Sequence, residues 1–422
     1  MICRRSTRNP VLLAAAAALL ASPVIGPASA QESEAAATQE LSPQAAALKR
    51  LDFAFFTERE TDDALTSALT AIIEREPQGG SFLASAIPDS ASDEARDAYK
   101  ALALNQFRHR LDFPGYVDAA QTLGEEIGPQ IRFFAEAEPP SAEIGSDVIE
   151  VDFANRKFSA SINGQPITIV FDTGAPGVSV DYDIATREGF AIETEGGGYS
   201  YIPAFDIRAK QDATIIRELT IGDAVLRNIP ATTSRNTAED KAKLEAAGLA
   251  SDMIFGLDLF ARFFAAVEID QVEGKLRLYR DTPPADLPGR FLMGTSRYPL
   301  VRADILGIGR NVIIDTGSGN NNLPPEWLEG ISCGPVRTFE RSWGSFSEQQ
   351  VPVAFGGETF DLWVTARGFG KDEFFESNGV LGAVNRGRMI FDLQNGRFGL
   401  LDYDPALAKY DFDAVSVTNT CE

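Results

Sequence analysis

The sequence is poor in the residues that carry most side-chain catalysis. In 422 residues there is one histidine, His109, and there are three cysteines, Cys3, Cys333 and Cys421. That scarcity argues against zinc sites built from His and Cys, and excludes any Ser–His or Cys–His mechanism that does not run through His109. Positive charge is also short: 38 Lys plus Arg face 61 Asp plus Glu, for a formal net charge of −23. A chain this acidic lacks the clustered cations that grip polyphosphate, so no nucleic-acid partner is expected. Beyond the first thirty residues no apolar run reaches the ~20 residues of a membrane-spanning helix. Carboxylates, hydroxyls, amines and backbone are what remain for chemistry. Apolar residues, at 44% with 28 Phe, are plentiful enough for cores, and the length leaves room for two or three domains.

Residues 1–30 read as a cleaved signal. Arg4, Arg5 and Arg8 precede an apolar run from Val11 to Ile25, and Ala28-Ser29-Ala30 supplies the small-x-small pattern before Gln31. Ser22 and Pro23 interrupt the run, which favours cleavage over an anchor. The residues after Arg4-Arg5 do not sustain a twin-arginine pattern, so ordinary secretion is expected. The mature protein is then exported, periplasmic or secreted, with no transmembrane anchor. It keeps Cys333 and Cys421, which an oxidising compartment would allow to bridge if their Cα atoms lie close enough. The sequence leaves that open.

Residues 31–145 form a helical region ending in an acidic linker. Ser42-Pro43 reads as an N-cap with a first-turn proline, followed by apolar residues at helical spacing from Ala47 to Phe55. Further stripes run over Leu65–Ile73, ended by Pro77 and Gly79-Gly80, over Ala95–Phe107, and after Pro114 through Tyr116, Leu123 and Ile127. His109 belongs to the third helix and reads as part of a solvated face. Glu136 to Gly145, rich in Pro and acid, reads as linker. The helical region carries 9 Lys plus Arg against 21 acids. That balance favours docking to a protein partner, or stabilisation, over a basic inhibitory plug.

After residue 147 the apolar period shortens to that of strands, with a hairpin signal at Asn163-Gly164. Two related halves follow, 146–283 and 284–422. The first contains Ile169-Val170-Phe171-Asp172-Thr173-Gly174-Ala175 and the second Val312-Ile313-Ile314-Asp315-Thr316-Gly317-Ser318. Downstream come Ile254-Phe255-Gly256 and Val380-Leu381-Gly382, then closing hairpins at Asp270–Gly274 and Asp392–Gly396. One Asp-Thr-Gly is weak, since a chain of this length carries roughly 0.1 by chance. Two copies in matching frames carry far more weight.

The pattern resembles the aspartic peptidases, in particular their retropepsin-like bacterial members, over about residues 147–403 and most strongly over Phe171–Phe190. The resemblance implies a mainly β fold with a bilobal pair of aspartic-protease-like barrels, here preceded by a small α-helical domain. It implies an aspartic endopeptidase acting on peptides or proteins, with Asp172 and Asp315 as the catalytic pair. Thr173 and Thr316 would bond across the lobes, and Gly174 and Gly317 would permit close approach. No cofactor or metal is called for, and a monomer is the simpler arrangement. The halves differ after the motif, where the second has Gly319-Asn320-Asn321-Asn322. Ser318 stands where the first half has Ala175; a hydroxyl there can bond a carboxylate and favour its charged form, which Ala175 cannot, so a pH optimum nearer neutral than in family members with two such hydroxyls is expected. Gly196 to Tyr201 reads as the tip of a flap, with Tyr199 and Tyr201 as substrate contacts, or as a flexible surface turn. Trp343-Gly344-Ser345-Phe346 in the second half reads as a reduced flap or as a plain hairpin, the hairpin being favoured.

Other readings fit less well. Glycosidases also use two carboxylates, but about 5–9.5 Å apart and without twin loops. A catalytically silent peptide-binding protein that keeps the cleft is the more serious alternative.

Overall fold

Seven helices lie between Pro43 and Glu136 among the residues described by the computed structural model, which are 41–419 except 59–62, 203–205, 247–249, 284–285, 319, 330, 332–333, 342–343, 369–371, 383–386 and 403–415. The expected signal, Cys333, Trp343 and Cys421 therefore fall outside the described residues. Helix α1 (Pro43–Lys49) opens on Ser42, whose hydroxyl accepts the Ala45 N–H at 3.2 Å. After α2 (Phe53–Thr57), Asp63 caps α3 (Ala64–Ile73) by accepting the Thr66 N–H at 2.8 Å. Gly79-Gly80, expected only to end α3, instead begins α4 (Gly79–Ala86). A Cβ at Gly80 would stand 2.8 Å from the Ala103 carbonyl oxygen, so glycine is what lets α4 lie close on α5 (Asp93–Arg108). Helix α6 (Phe113–Leu123) stops at Gly124, at φ 68°, and α7 (Pro129–Glu136) follows. No helix among the described residues is long and apolar enough to cross a membrane.

These helices do not form a separate core. Leu48, Leu69, Ile72, Tyr99 and Leu102 share one apolar cluster with Leu292, Leu300, Ile313, Phe375 and Val380 of the second half. Buried polar groups fasten the join: Asn105 Nδ2 donates to Thr295 O at 2.9 Å, and Asn311 Nδ2 donates to Lys49 O and Phe375 O at 2.7 Å each.

The first half is a closed barrel. Its strands are β1 (Ser141–Ile144), β3 (Lys157–Ile162), β4 (Gln165–Phe171), β5 (Val178–Asp181), β6 (Ile192–Ile202), β7 (Ile207–Ile221), β8 (Ala224–Ser234) and β9 (Met253–Phe255); β2 (Val148–Asp152) leaves for another sheet. The order β8-β5-β9-β4-β3-β7 closes because β7 also pairs with β8, giving six strands with β1 and β6 added outside. Asn163-Gly164 turns β3 into β4, with φ of 48° and 78°. The segment expected to be a linker holds β1, an edge strand on β8, and its acid Glu143 is paired to Arg227 at 2.8 Å. Three short helices interrupt the barrel: α8 (Tyr182–Arg187), α9 (Ala238–Ala246) and α10 (Leu257–Phe263).

Between the halves lie β10 (Ala266–Asp270) and β11 (Lys275–Tyr279), the first closing hairpin. The second half contributes β12 (Gly289–Met293), β13 (Pro299–Ile305), β14 (Ile308–Asp315), β15 (Asn321–Leu323), β16 (Pro335–Arg341), β17 (Gly344–Phe355), β18 (Glu358–Ala366), β19 (Gly379–Gly382), β20 (Arg388–Asp392), β21 (Arg397–Leu401) and β22 (Ser416–Asn419). Here β13-β14-β19-β15-β18-β17 closes through β13–β17, again with six strands. The closing hairpins meet where β10 runs antiparallel to β20, in a sheet β2-β11-β10-β20-β21-β12 that spans both halves. Their turns are built alike: Asp270 Oδ1 accepts from Val272 N and Glu273 N, and Asp392 Oδ1 from Gln394 N and Asn395 N. The fold is thus mainly β and bilobal, with helices leading it.

Candidate active site

Each Asp-Thr-Gly ends an apolar strand buried between two others. β4 runs parallel to β9, with Phe171 opposite Phe255, and β14 runs parallel to β19, with Asp315 opposite Gly382. Apolar residues on both faces of β4 and β14 suit strands covered on both sides. The apolar-apolar-Gly segments therefore lie beside the aspartates, and Asp172 N donates to Phe255 O at 2.8 Å.

The two loops interlock. Thr173 N donates to Thr316 Oγ1 at 2.9 Å, and Thr316 N to Thr173 Oγ1 at 3.0 Å. Each hydroxyl then donates to the strand behind the opposite loop, Thr173 Oγ1 to Ile314 O at 2.7 Å and Thr316 Oγ1 to Phe171 O at 3.1 Å. All four groups are buried. A Cβ at Gly174 would overlap the Asp315 carboxyl, and one at Gly317 would overlap the Asp172 carboxyl. Each carboxyl thus sits against the glycine of the other loop, with Gly174 N donating to Asp172 Oδ1 at 2.8 Å and Ser318 N to Asp315 Oδ1 at 3.0 Å.

The Ser318 hydroxyl does not play the part read from the sequence. It donates to Asn320 O at 2.8 Å, while Asn322 Nδ2 donates to Asn320 O at 3.1 Å. The expected pH optimum nearer neutral rested on the hydroxyl missing at Ala175, so this change of partner does not count against it. The asparagine run does different work. Gly256 N donates to the Gly177 carbonyl at 2.7 Å in the first half, whereas Gly382 N donates to the Asn321 side-chain oxygen at 2.8 Å in the second. Asn321 Nδ2 also donates to Trp363 O at 3.0 Å. A side chain has replaced a backbone carbonyl, and nothing in the motif comparison signals it.

The flap tip expected at Gly196 to Tyr201 is also displaced. This segment lies inside β6, where pairing with β7 slips register between Glu193 and Gly198 and continues to Ile202 opposite Ile207. A bulge needs glycine as a turn does, so the same Gly run serves either feature. Tyr199 is 54% exposed, and the side chain of Tyr201 lies outside the described residues. Ser200, which is buried, borders the cavity beside Asp172. Helix α7 packs against β6 and β7, with Pro129 Cδ 3.1 Å from where a Gly196 Cβ would stand. In the second half Arg341 pairs with Gly344 across β16 and β17, and Trp343 itself lies outside the described residues.

The cavity beside Asp172, about 540 Å³, runs from Asp172 and Gly317 past Arg156, Ser179 and Ser200 to Lys241 on α9. Nothing in the sequence pattern singles out α9 or Arg156.

His109 is not on a solvated face. It is 1% exposed, and its Nδ1 is bonded to Asp258 on α10, which is equally buried. Burial pushes the His109 imidazole below its ordinary value, and the guanidiniums of Arg75 and Arg297 push the same way, against Asp258. Burial alone would raise Asp258, but His109, Arg297 and Arg75 hold it below the usual carboxylate range. An interior place for the only histidine is not readable from Arg108-His109-Arg110, which has the charge of a solvated run. Because α10 follows Gly256 directly, this pair ties the helical region to the segment backing Asp172.

Residues 158–262 match the family described as "gag-polyprotein putative aspartyl protease". Among solved structures, a retropepsin-like aspartic protease from Rickettsia conorii is similar at 20% identity and a TM-score of 0.23, over 34% of this chain and 96% of its own. Among curated proteins, none matches. The resemblance to retropepsin-like aspartic peptidases read from the residues is therefore borne out by the family match, which supports a peptidase function in general terms.

Proposed function

We propose that the chain is an exported aspartic endopeptidase that hydrolyses peptide bonds with a water activated between Asp172 and Asp315. The observation that carries this is the reciprocal packing of each carboxyl against the glycine of the opposite loop. Two carboxyls held face to face share one proton, a behaviour already established for the aspartic protease dyad in general. The ionised member takes a proton from the water as it attacks the carbonyl carbon. The protonated member donates to the carbonyl oxygen, and the tetrahedral intermediate collapses as the leaving nitrogen gains a proton. The interlocked threonines let the pair meet the developing charge without reorganising, which is where such sites gain most. No covalent intermediate forms, and export follows from the signal-like leader.

The test is cleavage of a diverse peptide pool by purified protein across pH, with pepstatin as a competitor. Asp172→Asn and Asp315→Asn should each reduce kcat by about 1000-fold or more, in the range seen when a catalytic dyad or triad member is lost. Cleavage that survives either change would overturn the assignment. Peptide binding with no cleavage by the unaltered protein would instead identify a silent binder.

A further inference from the structure

Among the described residues, Arg156 in the cavity beside Asp172 has no acidic partner. Arg156 sits in the turn between β2 and β3, where Asn155 and Arg156 both take positive φ, 51° and 65°. Its Nη1 donates to the Gly317 carbonyl of the opposite lobe at 2.5 Å, which fixes the guanidinium at the edge of the aspartate pair. One N–H of five is used in this way. Among the described residues no carboxylate is ion-paired with Arg156, in a chain that has 61 acids to offer.

The other two cations of the cavity have partners of their own. Lys241 holds Asp181 at 2.9 Å and Asp183 at 2.6 Å. Asp252 Oδ2 accepts the Thr168 N–H at 2.7 Å, and Glu245 is exposed on α9. Lys157 donates to Ala250 O at 2.8 Å, and burial together with the charge of Arg156 holds it below the usual lysine range. The lining as a whole holds more acids than cations, so the attraction offered to an anion is confined to Arg156 and its neighbour Lys157.

Given the peptidase reading above, we propose that Arg156 selects substrates carrying Asp or Glu at the position whose side chain enters the cavity beside Gly317. A guanidinium anchored by one N–H keeps an edge free for a carboxylate, in the forked geometry arginine favours. The site is partly open to water, so the preference should weaken as salt rises.

The experiment uses the mature protein and peptides blocked at both ends, identical but for Glu, Gln or Lys scanned through each position. At one position kcat/KM for Glu should exceed that for Gln by about tenfold, with Lys poorest, an effect expected of a charge-assisted pair. Arg156→Gln should bring the Glu-to-Gln ratio to within about twofold, and Arg156→Glu should turn the preference toward Lys, as reversal of a specificity charge does. Arg156→Lys, which keeps the charge and loses the fork, should retain part of the ratio and serves if the other variants fold poorly. Indifference to Glu against Gln at every position, or a preference untouched in all three variants, would overturn the proposal. The same ratios measured as Kd by calorimetry with Asp172→Asn separate the two readings. A protein that binds Glu peptides through Arg156 and never cleaves retains this proposal and loses the hydrolase, whereas cleavage blind to the charge does the reverse.

Discussion

Thr173 and Thr316 hold each other's loops: each hydroxyl accepts the other's backbone N–H and donates to the strand behind it. Four hydrogen bonds in a buried, nearly symmetric knot fix where the two aspartates stand. The knot is local in space and remote in sequence, since 143 residues separate the partners.

Thr173→Val keeps the shape and removes the hydroxyl, which strands the Thr316 N–H and the Ile314 carbonyl in the interior. The expected loss is about 1–3 kcal/mol by urea unfolding, with Thr316→Val similar. Because both changes dismantle one network, the double variant should lose clearly less than the sum. Additive losses would show that the two threonines act independently.

Gly317→Ala places a methyl where the Asp172 carboxyl stands. The carboxyl must move, and a displacement of about 1 Å is enough to cost on the order of 100-fold in rate. Peptidase activity should fall by at least that much while a folded circular-dichroism spectrum persists. An active Ala variant would mean that the carboxyl does not need this position.

Stability should depend on His109 below neutral pH. Burial and the facing Arg75 and Arg297 lower its folded value beneath the 6.5 of an unfolded histidine. Between those two values the unfolded chain binds a proton that the folded chain refuses. The contribution of His109 is therefore complete above pH 6.5 and is lost as pH falls toward the folded value. The slope from one such proton is at most about 1.4 kcal/mol per pH unit. Denaturant unfolding at pH 7 and pH 5 should show this slope in the parent, and His109→Gln should flatten it. An unchanged slope would place the acid sensitivity elsewhere.

The β16–β22 ladder ends with Pro335 opposite Asn419, and the sequence has a cysteine two residues beyond each. Cys333 and Cys421 lie outside the described residues, and a bridge between them is the expectation that this register motivates. Protein recovered from an oxidising compartment should contain this bridge, seen as a linked Cys333–Cys421 peptide in an unreduced digest. Two free thiols in that digest would contradict it.

Much of this architecture is legible in the residues. The Asp-Thr-Gly strands, the apolar-apolar-Gly segments and the Asp-to-Gly hairpin turns are fixed by local chemistry, and local chemistry repeats when a unit is duplicated. What escapes a sequence reading depends on partners distant along the chain. His109 looks solvated because its neighbours are arginines, whereas Asp258, 149 residues away, makes the interior tolerable for it. Gly79-Gly80 looks like a helix stop because the Ala103 carbonyl that demands glycine lies on another helix. Asn321 looks like loop polarity because its task is to imitate the Gly177 carbonyl of the other half.

The pairing of β10 with β20 places both closing hairpins in one sheet within one polypeptide. An active centre assembled from two separate copies disappears on dilution, since each half must find the other. Here the halves are tethered, so on the proposed function turnover per mole should stay constant as the protein is diluted. The tether also frees the halves to diverge, as they have where the Asn321 side chain stands in for the Gly177 carbonyl.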